Sequence, residues 1–435
     1  MSERSDRSLL ALARRMRVDV SPLRESRDFR LLLSSGMITL VGTVFTMVAV
    51  PYQVKQLTGS PVAVGLVSLA EFVPMVVCGL WGGAIADALD RRKIVIYSEV
   101  GLCVTTAILL VNALLPEPRV WVLYVAGALS AGFGSVRGPS EQAMVNRVLK
   151  LDQMTAAFAL QGLARNSAII VGPAVGGVVV ISLGPAASYG VDVVSFLISL
   201  ALLVRVRPVP RPEEATPASL RSLVEGVRYA GKRPDLMGTY LVDIAAMAFA
   251  SSNALFPFLA DDLGAPQALG LLYAAGGVGS VIASLTSGWT SHVHRHGLAV
   301  IVSATLWGVS VAIAALMPNV WLVFLFLAVA GGADMVSGLF RGTIWNQTIP
   351  DEYRGRLAGI ELLSYSTGPM LGDVRAGLMA GWGGARFSLG AGGLLCMGAV
   401  ALMAAVLPRF RSYDARTDEY ALAERARRAE QPSAA

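Results

Sequence analysis

The sequence predicts an all-α membrane protein of twelve transmembrane helices, built as two six-helix repeats with both termini cytoplasmic. Three observations predict it. Of the 435 residues, 54% are hydrophobic and 15% charged, where a soluble protein carries about 25% charged residues. The apolar residues fall in blocks of about twenty, the length a helix needs to cross roughly 30 Å of hydrocarbon. The positive charge falls in alternate connections between those blocks.

The blocks occupy residues 31–52, 61–86, 94–115, 120–142, 155–181, 185–204, 236–259, 268–289, 298–317, 320–344, 357–380 and 385–407. They divide the chain into an N-terminal arm (1–30), a six-helix bundle (31–204), a cytoplasmic linker (205–235), a second six-helix bundle (236–407) and a tail (408–435). Arg14, Arg15 and Arg17 of the arm lie on the positive side. So do Arg91, Arg92 and Lys93 of the 2–3 connection, Arg205, Arg207 and Arg211 of the linker, and Arg409 and Arg411 of the tail. The opposite connections carry only Lys55, Arg119 and Arg386, so the termini and the linker face inward. In the linker, Leu220, Leu223, Val224 and Val227 share one helical face, which predicts an amphipathic helix on the inner surface. Cys78, Cys103 and Cys396 lie inside apolar blocks, which argues against a disulfide framework. The first thirty residues show no apolar segment before a cleavage site. The first membrane helix is therefore expected to act as its own insertion signal.

The two bundles repeat. Pro51, Leu57 and Gly65 find Pro257, Leu263 and Gly270 about 205 residues later. Gly83 matches Gly288, Arg137 with Gln142 matches Arg341 with Asn346, and Gly172-Pro173 matches Gly368-Pro369. Four matches in order at nearly constant spacing mark an internal duplication. Duplications of this kind place a substrate site between two halves that rock about it.

The strongest local pattern joins predicted helices 2 and 3: Gly83, then Asp87, then Asp90-Arg91-Arg92-Lys93. This resembles motif A of the major facilitator superfamily, although Asp90 stands where a glycine is usual and Ala88 where a basic residue is. The resemblance implies a latch of Gly83, Asp87, Asp90, Arg91 and Arg92. A carboxylate would face the positive end of a neighbouring helix, the arginines would pair with acids on other helices, and the glycine would allow close approach. Such a latch holds the inner ends together when the protein is open outward. Gly172-Pro173-Ala174-Val175-Gly176-Gly177 in helix 5 resembles the motif C that marks antiporters of this superfamily; as residues alone, it reads equally as a packing kink. The arginine of motif B, implied inside helix 4, is not found in 120–136, which carries no charge. The second repeat keeps Gly288 but replaces the acid and basic run with His292, His294, Arg295 and His296. No carboxylate or thiolate lies beside them in the chain, so no metal site is expected. Tyr240 to Asp243, Ala254 to Pro257, Phe340-Arg341 and Arg354 to Gly359 extend the resemblance to the drug and metabolite efflux branch that includes the enterobactin exporter.

Ionisable residues inside the membrane cost about 2.5–3.5 kcal/mol each on insertion scales, so each needs a reason. The candidates are Glu71, Arg165, Asp192, Asp243, Asp334, Asp373 and Arg375. Proton coupling needs a buried carboxylate that alternates between charged and neutral. Asp243 and Glu71 lead that list, Asp192 follows, and Arg165 is the expected partner of one of them in the empty state. Asp373 and Arg375, two apart on helix 11, do not share a face and require separate partners. Phe45, Met47, Phe72, Met75, Phe249, Phe256, Tyr365 and Met370 could line an amphipathic cavity or serve as packing bulk.

The sequence thus points to a secondary transporter of the bacterial cytoplasmic membrane. The expected activity is proton-driven antiport that exports an amphipathic drug, siderophore or secondary metabolite by alternating access. An importer of nutrients or lysophospholipids shares the fold, and a non-transporting receptor or scaffold is the alternative of another class. The expected partners are the small-molecule substrate, protons and the lipid bilayer, with the protein monomeric. No cofactor, metal, nucleic acid or enzymatic activity is expected; no GxxxxGK[ST] nucleotide motif or catalytic constellation is present.

Overall fold

The computed structural model describes residues 19–88, 90–208, 225 and 228–430, and it leaves the side chains of 80–88, 151, 351–352, 354–356, 358–363 and 430 outside the description. The amphipathic linker helix expected around Leu220 to Val227 lies outside the described residues. The first bundle contains α1 (Arg27–Thr58), α2 (Pro61–Ala88), α3 (Arg91–Leu114), α4 (Val120–Val148), α5 (Met154–Leu183) and α6 (Pro185–Leu203). The second contains α7 (Pro234–Ala250), α8 (Leu269–Leu285), α9 (His296–Leu316), α10 (Val320–Thr348) and the long segment Asp351–Val406.

Eleven helical segments among the described residues are long and apolar enough to cross a membrane. One of them, Ser364–Val406, has 43 residues and as a straight helix would span about 65 Å, twice the hydrocarbon core. It is not straight. Gly384 has φ 84° and ψ 170°, a conformation open to glycine, and splits the segment into α11 (351–383) and α12 (385–406). Twelve helices result. Gly184, between α5 and α6, has nearly the same angles, φ 81° and ψ 171°. Gly59 (φ 61°) after α1 and Gly264 (φ 64°) before α8 form a second such pair. The four left-handed glycines therefore fall at repeat-related positions, and the duplication extends to the turns.

Several helices outrun their apolar blocks. α4 and α10 continue to Val148 and Thr348, past the predicted 142 and 344. Hydropathy marks the part of a helix in hydrocarbon, and these helices carry on into water at the inner face. Predicted helix 7 is corrected more deeply. It breaks after Ala250, passes through a short 3-10 turn at Asn253–Leu255, and resumes as Phe256–Asp262. Pro257 lacks the N–H that would bond to the Asn253 carbonyl, and the Tyr273 hydroxyl donates to that oxygen at 3.1 Å instead. Pro51 occupies the matching place in α1, which runs unbroken. The preceding residues explain the difference: Ser251, Ser252 and Asn253 compete for backbone hydrogen bonds where α1 has Phe45, Thr46 and Met47.

The tail folds back on the second bundle. Phe410 is fully buried; a Cβ on Gly238 would overlap its ring, and one on Gly297 would overlap its carbonyl oxygen. The Ala415 N–H donates to His294 O at 2.9 Å, and Arg428 of α13 (Glu419–Glu430) donates to Asn346 O at 2.8 Å.

Candidate functional site

The two bundles meet along α5 with α8 and along α2 with α11. Both seams are tightest toward the outer ends. A Cβ on Gly270 of α8 would lie 2.5 Å from the Ala174 carbonyl oxygen of α5, and one on Gly177 would overlap Gly270. A Cβ on Gly377 of α11 would lie 2.9 Å from Gly65 Cα of α2. Gly172 and Gly176 press α5 against Val44 and Phe45 of α1 within the same bundle. The glycine-rich element thus joins α5 to helices on both sides. Beyond these seams, Lys55 Nζ donates to the Pro257 carbonyl at 2.6 Å and pairs with Asp261; within the α2–α11 seam, Ser68 Oγ donates to Asp373 at 3.4 Å.

The inner halves of the same helices are looser. On α5, burial narrows to Ala157, Leu160, Ala164 and Ala168, with Leu163, Arg165, Asn166 and Ser167 exposed. On α8, the outer residues Leu269, Gly270 and Leu272 are buried, while Ile282, Ser284 and Leu285 are exposed. The close approaches between the bundles thus gather toward the outer ends, as an outer-closed state requires. The motif A residues fit that state. The Asp90 side chain caps α3 by accepting from the Arg92 N–H at 3.0 Å. Arg92 Nη2 donates to the Val204 carbonyl at 2.7 Å, at the negative end of α6 in its own bundle. The side chains of Gly83 and Asp87 lie outside the described residues, and Arg91 has further interactions.

Each bundle buries one arginine with two carboxylates. In the second, Arg341 of α10 pairs with Asp243 of α7 and stands 3.9 Å from Asp334; Ser364 Oγ donates to Asp243 at 2.9 Å. In the first, Arg137 of α4 pairs with Glu99 of α3 at 2.5 Å and with Glu141 at 2.9 Å. Thr39 donates to Glu99 at 2.5 Å, and Ser199 donates to the same oxygen. The arginines are repeat-related, and one acid of each triad lies on the arginine's own helix, Glu141 on α4 and Asp334 on α10; the other comes from α3 in the first bundle and from α7 in the second. With both acids ionised, each triad would carry one excess negative charge.

Two corrections follow. Helix 4 does carry a buried arginine, Arg137, one residue beyond the uncharged stretch and well inside α4. Arg165 is exposed, and among the described residues it forms no ion pair with Asp243, Glu71 or Asp192; Arg341 holds Asp243 instead. Sequence reasoning noted Arg137 as a repeat marker and Arg341 as a repeat marker and part of the family resemblance, and missed Glu99 and Glu141.

The remaining acids separate. Asp192 is buried and accepts from Thr46 at 2.6 Å, Thr106 at 3.3 Å and Ser195 at 3.3 Å, with no ion-pair partner among the described residues. Glu71 lies against α4, where a Cβ on Gly127 would stand 3.0 Å from its oxygen. It has no hydrogen-bond or ion-pair partner among the described residues. Asp373 and Arg375 do take separate groups, but both hold the break in α7. Arg375 donates to Ser251 O and Ser252 Oγ at 3.0 Å each and to Ser388 O at 2.9 Å. Asp373 accepts from the Ala254 N–H at 3.0 Å. Of the candidate lining, Phe45 is buried, Met47 and Tyr365 are exposed, and Phe256 faces a cavity within the second bundle. The histidine loop does meet a carboxylate: Asp414 of the tail lies 3.7 Å from His294 Nε2. No group of three metal-ligating side chains forms among the described residues.

Comparison with known proteins agrees with this architecture. Residues 18–433 match the transmembrane secretion effector family. The enterobactin exporter EntS of Shigella boydii serotype 18 is 30% identical over 408 residues, covering 91% of this chain and 96% of its own. EntS of Escherichia coli O81 is 30% identical over 409 residues with the same coverage. The solved nucleoside transporter NupG superposes with a TM-score of 0.67 at 14% identity, covering 89% of this chain and 100% of its own. A bacterial homologue of the iron transporter ferroportin, solved in an inward-facing state, gives 0.66 at 15%, covering 89% and 99%. These two share the fold. With twelve membrane helices in two repeats and a match along nearly its whole length, the chain belongs to the transmembrane secretion effector family, a family of major facilitator transporters and not of enzymes.

Proposed function

We propose that the protein exports an amphipathic small molecule from the cytoplasm across a bacterial inner membrane, by proton-coupled antiport with alternating access. The observation that carries this reading is the buried Asp243–Arg341 pair beside Asp334. Breaking such a pair by neutralising one partner costs about 3–5 kcal/mol. A proton moving down 100 mV supplies about 2.3 kcal/mol. Proton entry alone therefore falls short of opening the pair, and substrate contacts have to supply the remainder. The identity shared with the enterobactin exporters along 96% of their length supports export, and the resemblance of the α5 glycine element to motif C supports antiport. The sealed outer seam, with Arg92 engaged inside its own bundle, is the state in which an exporter loads from the cytoplasm.

The test is accumulation of amphipathic dyes and catecholate siderophores in cells with and without the protein, before and after a protonophore. Lower accumulation that vanishes on gradient collapse, and is lost in Asp243→Asn, is the expected result. Efflux that survives collapse would sink proton coupling, and raised accumulation would mean import.

A further inference from the structure

Within the second bundle, apart from the seam between the halves, lies a cavity of about 250 Å³. The unwound stretch of α7 at Ser252 and Asn253 borders it, Phe256, Tyr273 and Trp307 wall it, and Asp334 reaches it from α10. Phe256 and Tyr273 meet edge to face, 5.0 Å between centroids, which fixes two of the three rings. The Asp334 side chain keeps 33% of its surface exposed. Its nearest cation is the Arg341 guanidinium at 3.9 Å, which is already paired with Asp243. A carboxylate only loosely held by its nearest cation therefore borders a space lined by aromatic and aliphatic groups together with Ser251, Ser252, Asn253 and Ser280.

We propose that this cavity binds a protonated amine on a small apolar body, with Asp334 as its counter-ion and the aromatic walls facing the cation. An ammonium group would neutralise the excess charge of the triad and gain from the ring faces. A carboxylate would meet Asp334 and be repelled. The cavity is smaller than most drug sites, which run about 300–1,000 Å³, so it takes a small molecule or one arm of a larger one. The proposal rests on the reading of the chain as a transporter of amphipathic molecules and narrows their class to amines.

Three probes of one shape test it: radiolabelled phenethylamine, 2-phenylethanol and phenylacetate, in equilibrium dialysis against the full chain in lipid nanodiscs without a proton gradient. The amine is expected to bind at least tenfold more tightly than the alcohol, and the acid not to bind. Asp334→Asn should bring amine and alcohol to within twofold of each other. Leu272→Trp, which fills the cavity and leaves every charge in place, should abolish amine binding. Equal binding of amine and alcohol to the native chain overturns the proposal, as does an amine preference unchanged by Asp334→Asn or amine binding unchanged by Leu272→Trp. Amine binding in a chain that shows no gradient-driven efflux would overturn antiport and leave the pocket standing. Gradient-driven efflux without amine binding would overturn the pocket alone.

Discussion

Gly177 and Gly270 lie backbone against backbone across the outer seam, with the Gly270 position 2.5 Å from the Ala174 carbonyl when a Cβ is built on it. No side chain larger than hydrogen fits at either place while the seam is shut. Gly177→Val should therefore prop the outer ends apart. The readout is a cysteine at Val62, which faces Gly381 across the neighbouring α2–α11 seam, in a chain with Cys78, Cys103 and Cys396 replaced by serine. Its labelling by a membrane-impermeant maleimide should rise several-fold, and transport should fall at least tenfold. Unchanged labelling would mean that the glycine contact does not govern outer closure.

Lys55 makes a second outer contact of a different kind. Its partner Asp261 is half exposed, at 54% of the side chain, so the ion pair is worth about 0.2–1 kcal/mol. The bond from Lys55 to the Pro257 carbonyl adds to it. Lys55→Met should open the outer seam more than Asp261→Asn, read by the same Val62 labelling. Raising salt should mimic Asp261→Asn and leave that variant itself unaffected, because salt screens the charge pair and not the carbonyl bond. Equal effects of the two substitutions would show that the carbonyl bond contributes nothing.

These contacts show where sequence reading succeeds and where it stops. Twelve spans and their duplication were legible because hydrocarbon thickness imposes a length and charge imposes a side. The glycine element of α5 was legible as a tight contact; its partner Gly270 was known only as a repeat match, since periodicity names a face and not what packs on it. The break in α7 escaped because Pro257 looks identical to Pro51, and the outcome turns on the Ser251–Asn253 run beside it. Glu99 escaped because an acid near the start of a predicted helix reads as an interfacial residue, while burial depends on Thr39, Ser199 and Arg137 arriving from three other helices. Asp414 escaped for a simpler reason: a tail more than a hundred residues downstream supplies it to the histidine loop.

The two triads predict an order of stabilities. Arg341→Gln strands Asp243 and Asp334 in the second bundle, and a buried charge left unpaired costs about 3–5 kcal/mol. Asp243→Asn leaves Arg341 with Asp334 still 3.9 Å away and should cost less. The double variant Asp243→Asn/Arg341→Gln removes one of the two stranded charges, leaving only Asp334 without its cation, and should recover part of the loss. In thermal unfolding of the purified chain, Tm should therefore run native, Asp243→Asn, double variant, Arg341→Gln, from high to low. Independent, additive losses would mean that the three groups do not act as one network.

Arg375 predicts the largest local effect on α7. Its guanidinium takes three acceptors at once, Ser251 O, Ser252 Oγ and Ser388 O, and so ties the unwound turn to α12. Asp373 closes the other side of the turn through the Ala254 N–H. A helix break inside a membrane protein persists only while its freed backbone groups are satisfied. Lysine offers one compact ammonium in place of a planar fork and cannot reach all three acceptors in the same directions. Arg375→Lys should therefore behave more like Arg375→Ala than like the native chain. Amide hydrogen exchange at 251–255 should quicken at least tenfold in both variants, with α1 around Pro51 unaffected. Protection retained in Arg375→Lys would show that charge at this site suffices and that the fork geometry does not matter. Protection retained in Arg375→Ala would show that Asp373 and the surrounding helices hold the break without the arginine.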